Sequence, residues 1–150
     1  MQVREILRVK GEALFTATPD QSLAWAVSAL ADNDVGSLVV MENGKMVGML
    51  TFREVLKVLG KHGGNCPADV TVGDVMVRDP VTGYPSMEAN DLRRLMIEKH
   101  SRYLPVVEGG MLMGVISFLD VAKAVLEEQS LENKLLKSYI RNWPAEGEAA

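Results

Sequence analysis

The chain is poor in cysteine, in aromatic residues and in unbroken apolar runs. Its one cysteine is Cys66. A single thiol closes no internal disulfide and builds no cysteine-rich zinc site, so the chain reads as cytoplasmic, with no need of an oxidising compartment. Aromatic side chains make up 5% of the residues, which leaves aliphatic side chains and nine methionines to fill a core. No stretch approaches the roughly 18 apolar residues that a membrane span requires. The opening residues, Met1-Gln2-Val3-Arg4-Glu5, bring an acidic group at once and lack the apolar segment of a secretory signal. Positive charge is not in excess either. The net charge of -4 argues against a general nucleic-acid-binding surface, while leaving room for a local arginine cluster that holds phosphate.

The rest of the composition is that of an ordinary globular chain, with 47% hydrophobic and 24% charged residues in a length of 150. A domain of this size buries about 70% of its unfolded surface. His62, His100 and Cys66 have no metal-ligand spacing: two lie in a linker and His100 ends a helix. Gly63-Gly64 lacks the lysine and hydroxyl of a phosphate loop. No nucleophile or acid–base constellation marks an enzyme.

The chain repeats itself. At an offset of 66 residues Thr16-Ala17-Thr18-Pro19 falls on Thr82-Gly83-Tyr84-Pro85, and Leu38-Val39-Val40 falls on Leu104-Pro105-Val106. Glu42-Asn43-Gly44 falls on Glu108-Gly109-Gly110, and Gly48 through Val55 on Gly114 through Val121. The lead-ins, Val3 to Leu7 and Val72 to Met76, match at an offset of 69, a small loop difference. Each unit reads as β-α-β-β-α. A short strand ends at a proline (Phe15 to Thr18; Val81 to Tyr84). A helix follows, carried by Leu23, Ala26, Val27 and Leu30 or by Ala89, Leu92, Leu95 and Met96. Asp20 or Ser22 is positioned to cap the first of these and Ser86 the second. Two strands come next, Ser37 to Met41 with Met46 to Leu50 and Tyr103 to Val107 with Leu112 to Ile116, joined by the turn pairs Asn43-Gly44 and Gly109-Gly110. A second helix starts after Thr51 and after Ser117.

One such unit buries too little surface alone, and two can bury their sheets together. The expected organisation is repeat 1 over 1–60, a Gly/Pro-marked linker over 61–71, repeat 2 over 72–126, an extension of the last helix over 127–143 and a flexible tail over 144–150. Between Asp120 and Asn142 there is no glycine or proline, a run about 34 Å long as helix, ended by Pro144. Leu131, Leu135, Leu136, Tyr139 and Ile140 give its far half an apolar side, which packs either on a second copy of the chain or back on its own domain.

The paired units resemble CBS domains, whose tandem is called a Bateman module. The resemblance rests on the strand–Pro–helix openings and on Val35-Gly36-Ser37-Leu38-Val39-Val40 and Ser101-Arg102-Tyr103-Leu104-Pro105-Val106-Val107. It rests also on two Gly-x-x-Thr/Ser-x-x-acid stretches, Gly48 to Glu54 and Gly114 to Asp120, and covers about residues 1 to 125. It implies an α+β fold of two pseudo-symmetric repeats packed as one module, and the long last helix is similar to that of small stand-alone bacterial members. It also implies a non-enzymatic regulatory module that binds AMP, ADP or ATP between the repeats. Such a module requires no resident cofactor and acts in trans on an unknown protein target, as a homodimer, without nucleic acid or membrane. Other members bind S-adenosylmethionine, NAD-type dinucleotides or metal ions, and a purely structural dimerisation module with empty clefts is the remaining alternative.

The hydroxyl–acid pairs Thr51/Glu54 and Ser117/Asp120 form capping boxes, which start helices without any ligand. The same helix ends offer N–H groups and a positive dipole to a phosphate. The resemblance implies that the acid takes the ribose hydroxyls. Asp120 keeps the family's residue, and Glu54 is one methylene longer, so the Asp120 cleft is the better candidate. Arg102 suits bidentate phosphate binding or stands solvated at a strand entrance; Arg53 is a weaker version. Val35, Gly36 and Ser37, with Ser101, Arg102 and Tyr103, would line the base and phosphate pockets, Gly36 letting the backbone approach the base. Lys10 in the lead-in is a further candidate. Thr16 and Thr82 either face the cleft or follow plain strand preference.

Overall fold

The computed structural model describes residues 1–11 and 13–141. The expected end of the last helix at Asn142, its stop at Pro144 and the tail over 144–150 lie outside the described residues.

Among the described residues the first half runs α1 (Val3–Lys10), β1 (Thr16–Ala17), α2 (Leu23–Asn33), β2 (Ser37–Glu42), β3 (Lys45–Thr51) and α3 (Phe52–Lys61). The second runs α4 (Val72–Val75), α5 (Ala89–Glu98), β4 (Tyr103–Glu108), β5 (Met111–Ser117) and α6 (Phe118–Arg141). The fold is α+β, built from two copies of one unit. Each copy centres on an antiparallel hairpin, β2–β3 or β4–β5, with a register shift at equivalent points, Val40/Met41 and Val106/Val107. The turns are those the sequence predicts. Asn43 and Gly44 have φ of 52° and 76°, and Gly109 and Gly110 have 58° and 79°, as a two-residue type I′ turn requires.

The opening strand of the second repeat departs from expectation. In the first repeat β1 pairs parallel with β2, and the Val39 N–H donates to the Phe15 carbonyl at 3.1 Å. Pro105 occupies the position equivalent to Val39 and has no N–H to donate. The segment 81–84 therefore keeps one bridge, Gly83 to Val106, held by Gly83 N–H to Pro105 O (3.0 Å) and Val107 N–H to Gly83 O (2.9 Å). The capping expectation is likewise half met. Ser22 caps α2 by accepting the Trp25 N–H, whereas α5 starts at Ala89 behind Glu88, without a side-chain cap and without Ser86.

The lead-ins fold as helices and change sides. Val3 and Ile6 of α1 are buried with Leu92 and Met96 of α5, Leu104 and Val106 of β4, and Val121 of α6. Val72 and Met76 pack reciprocally with Leu23, Leu30, Leu38 and Leu50 of the first repeat. Backbone bonds clamp both exchanges in the same pattern. Val3 N–H reaches Met87 O at 2.8 Å and Arg4 N–H reaches Pro85 O at 2.9 Å; Val72 N–H reaches Gln21 O at 2.8 Å and Gly73 N–H reaches Pro19 O at 2.9 Å. Each fully buried aliphatic side chain contributes about 1.5–3 kcal/mol, so neither core is complete without a piece of the other half. The methionines divide: Met49, Met76 and Met96 are buried, while Met111 and Met113 of β5 are exposed.

α6 has two parts. Val121, Ala124 and Val125 are buried against the second repeat, and beyond them Leu126, Leu131, Leu135, Leu136, Tyr139 and Ile140 are exposed. At 24 residues it is about 36 Å long. Its far half, as far as Arg141, does not fold back onto its own domain.

Candidate functional site

The loops that carry the candidate residues are fixed by the ends of α2 and α5. Asp34 and His100, at equivalent positions, take left-handed φ of 51° and 53°. Val35 N–H then returns to Leu30 O (3.1 Å) and Ser101 N–H to Met96 O (2.9 Å), with Asp34 N–H to Ala31 O and His100 N–H to Ile97 O beside them. This paired return is the Schellman geometry, and it delivers Val35-Gly36-Ser37 and Ser101-Arg102-Tyr103 to the starts of β2 and β4. A second matched bond ties each loop to the helix after its hairpin: Phe52 N–H to Gly36 O at 3.3 Å, and Phe118 N–H to Arg102 O at 2.7 Å.

Two clefts lie between the repeats. The first, about 550 Å³, takes Lys10, Val35, Gly36 and Ser37 from the first half and Arg102, Tyr103 and Ser117 from the second. The other, about 660 Å³, takes Thr51, Arg53 and Glu54 from the first half and Ser101, Arg102 and Tyr103 from the second. Arg102 and Tyr103 line both. Thr16 and Thr82 are exposed and line neither. Sequence reasoning missed Phe15 and Asp34 in the first cleft, and Lys57, Asp79, Lys99 and His100 in the second. Lys57 had a signal, standing one helical turn from Arg53 on the same face; Lys99 and His100 directly precede the loop already singled out.

The space over Gly36 is taken. A β-carbon there would overlap the Tyr103 phenol and would stand 3.0 Å from Phe52 Cε2. The close approach that glycine permits is used by an aromatic ring of the other repeat. At the equivalent positions the first repeat offers the small pair Gly36 and Ser37, the second the large pair Arg102 and Tyr103.

The two acids make the same cap bond and differ in their surroundings. Glu54 is buried, and its Oε1 folds back to accept the Thr51 N–H and hydroxyl, both at 2.8 Å. Asp120 accepts the Ser117 N–H at 2.9 Å through Oδ2, while its own N–H donates to Ser117 Oγ at 3.1 Å. The same Oδ2 lies 2.7 Å from Lys10 Nζ, across the cleft edge. Burial pushes the Asp120 carboxyl up, but the Lys10 ammonium and the Ser117 N–H and hydroxyl outweigh it and hold it below the ordinary range. Asp120 is bonded to two residues of the cleft wall and is not itself part of that wall.

The helix ends have less to offer an anion than the sequence suggests. In α3 the Phe52 N–H is committed to Gly36 and the Arg53 N–H to Thr51 Oγ1 (3.3 Å). In α6 the Phe118 N–H is committed to Arg102 and the Asp120 N–H to Ser117. The positive charge that lines the clefts comes from side chains, Arg102 and Lys10 in the first and Arg53, Lys57, Lys99 and Arg102 in the second. Among the described residues no group of three His, Cys, Asp or Glu side chains is placed to hold a metal ion, and no helix is long and apolar enough to cross a membrane.

Comparison with known proteins agrees with this architecture. The family model of the CBS domain matches twice, over residues 3–61 and 72–127. The chain belongs to the CBS-domain family and carries two tandem copies. It is 30% identical over 120 residues to the CBS domain-containing protein YhcV of Bacillus subtilis, covering 80% of this chain and 84% of that one. Its fold is similar to that of the CBS-domain containing protein ATU1752 of Agrobacterium tumefaciens, with a TM-score of 0.78, 30% identity, and coverage of 83% of this chain and 98% of that chain. It is also similar to CBSX2, a CBS-pair protein of Arabidopsis thaliana, in its complex with AMP, with a TM-score of 0.67, 25% identity, and coverage of 78% and 91%.

Proposed function

We propose that this chain is a non-enzymatic sensor that binds an adenine nucleotide, AMP, ADP or ATP, in the Asp120 cleft. The observation that carries the reading is a cleft lined by two cations, Lys10 and Arg102, with the ionised Asp120 carboxylate directly behind its wall, bonded to the lining residues Lys10 and Ser117. An ionised carboxylate accepts ribose hydroxyls, and a guanidinium takes a phosphate bidentately. The resemblance to CBSX2 with bound AMP supports the same ligand class. On this reading the module acts in trans on a protein target, in the cytoplasm and without a resident cofactor. The exposed leucines of α6 favour a homodimer formed through that helix. Binding becomes a signal only where the ligand prefers one arrangement of the module over another.

A thermal-shift screen with AMP, ADP, ATP, NAD, NADH and S-adenosylmethionine tests the reading. A ligand at about 100 times its dissociation constant adds about 2.7 kcal/mol of stability, a readily measured rise in midpoint. A rise with an adenine nucleotide supports the sensor. A rise only with NAD, NADH or S-adenosylmethionine replaces its ligand, and silence throughout replaces it with an interaction module.

A further inference from the structure

Lys10 is the last residue of α1, a helix that belongs by sequence to the first repeat and by packing to the second. Its ammonium donates to Asp120 Oδ2 at 2.7 Å and to the Val115 carbonyl at 2.8 Å. It thus sits on the carboxylate that the nucleotide reading assigns to the ribose. Oδ2 already accepts from the ammonium and from the Ser117 N–H, so a sugar hydroxyl that approaches this oxygen meets the ammonium. The side chain is about one-third exposed and its stem is flexible, and the next residue, Gly11, has a left-handed φ of 91°. Lys10 is therefore free to turn from the carboxylate into the cleft that it already lines, where Arg102 stands as a second cation.

We propose that Lys10 is a specificity-determining residue of this cleft. In the empty cleft its ammonium neutralises Asp120, and on binding it transfers to the ligand's phosphate, so the cleft accepts 5′-phosphorylated nucleosides and rejects the uncharged nucleoside. The inference rests on the nucleotide reading above. Its reason is a balance of partners. Releasing Lys10 breaks its charge-assisted hydrogen bonds to Asp120 and to the Val115 carbonyl, and a buried or half-buried charge left alone is costly. A phosphate returns an equivalent partner to the ammonium; adenosine returns none. A sulfonium ligand such as S-adenosylmethionine brings a charge of the same sign and is disfavoured further.

Titration calorimetry with AMP and with adenosine, on the wild-type chain, Lys10→Met and Lys10→Arg, tests this. The wild type is expected to prefer AMP over adenosine by about 100-fold. In Lys10→Met AMP weakens about tenfold or more while adenosine tightens, because Asp120 is freed, and the ratio falls to what Arg102 alone supplies. Lys10→Arg keeps the preference. Lys10→Gln repeats the experiment if the Met variant melts abnormally. Equal weakening of both ligands, or an unchanged ratio, overturns the specificity role and leaves the nucleotide reading standing. No binding of AMP, ADP or ATP by the wild type overturns both.

Discussion

The phenol of Tyr103 lies against the α-carbon face of Gly36, in the space that any β-carbon at residue 36 would need. This contact joins the two repeats at the point where both clefts meet, since Tyr103 lines each of them. Gly36→Ala is expected to destabilise the chain by about 1–3 kcal/mol, the usual cost of overpacking. Adding Tyr103→Leu should recover more than half of that loss. Urea denaturation of the single and double variants measures it; an Ala variant as stable as the wild type would show that the contact is not tight.

The exchanged lead-ins make the halves interdependent. Ile6 is 5% exposed and belongs to the core of the second repeat. Ile6→Ala should cost about 2–5 kcal/mol, and an excised fragment of residues 1–61, lacking Val72 and Met76, should not unfold cooperatively. Circular dichroism melts check both. A sharp transition in the fragment would contradict the interdependence.

The Asp120 carboxyl also makes stability depend on pH. Its folded value lies below the ordinary one, so the folded state binds its proton less readily than the unfolded chain. The stabilisation is present in full above the ordinary carboxylate value of about 3.9 and is lost as pH falls through the lower folded value. Melting midpoints of the wild type and Asp120→Asn, compared from pH 7 down to pH 3, should therefore converge as the solution becomes acidic. A constant gap would place the effect of Asp120 elsewhere than in its charge.

The far half of α6 gives a test of assembly. Leu131 and Leu135 are one turn apart and 57% and 62% exposed. Replacing both with serine should turn the proposed homodimer into a monomer in sedimentation velocity and leave nucleotide binding intact. A dimer that survives would remove this helix from the interface.

Much of this was legible in the sequence because local chemistry decides it. Asn43-Gly44 and Gly109-Gly110 specify hairpin turns, and the duplicated hydroxyl–acid pairs specify the starts of α3 and α6. What stayed hidden depends on partners distant in the chain. The strand at 81–84 fails because Pro105, across the ladder, has no N–H. The crossing of α1 and α4 to the opposite cores leaves no periodicity to read. The residue over Gly36 is an aromatic ring 67 positions away in sequence. The cations Lys57 and Lys99, in different repeats, are brought to one cleft only by the fold. The starts of α3 and α6 read as places that offer N–H groups to a phosphate, and the N–H groups of Phe52, Phe118, Arg53 and Asp120 are instead spent on Gly36, Arg102 and the capping hydroxyls.

The most direct test of the sensor is titration calorimetry of AMP, ADP and ATP against the wild-type chain and Asp120→Ala, with each protein's fold checked by its melt. The expected result is binding of at least one nucleotide by the wild type and its loss in a folded Asp120→Ala. Equal affinity in the two proteins would contradict the assignment of the carboxylate to the ligand, and absence of binding in the wild type would contradict the sensor itself.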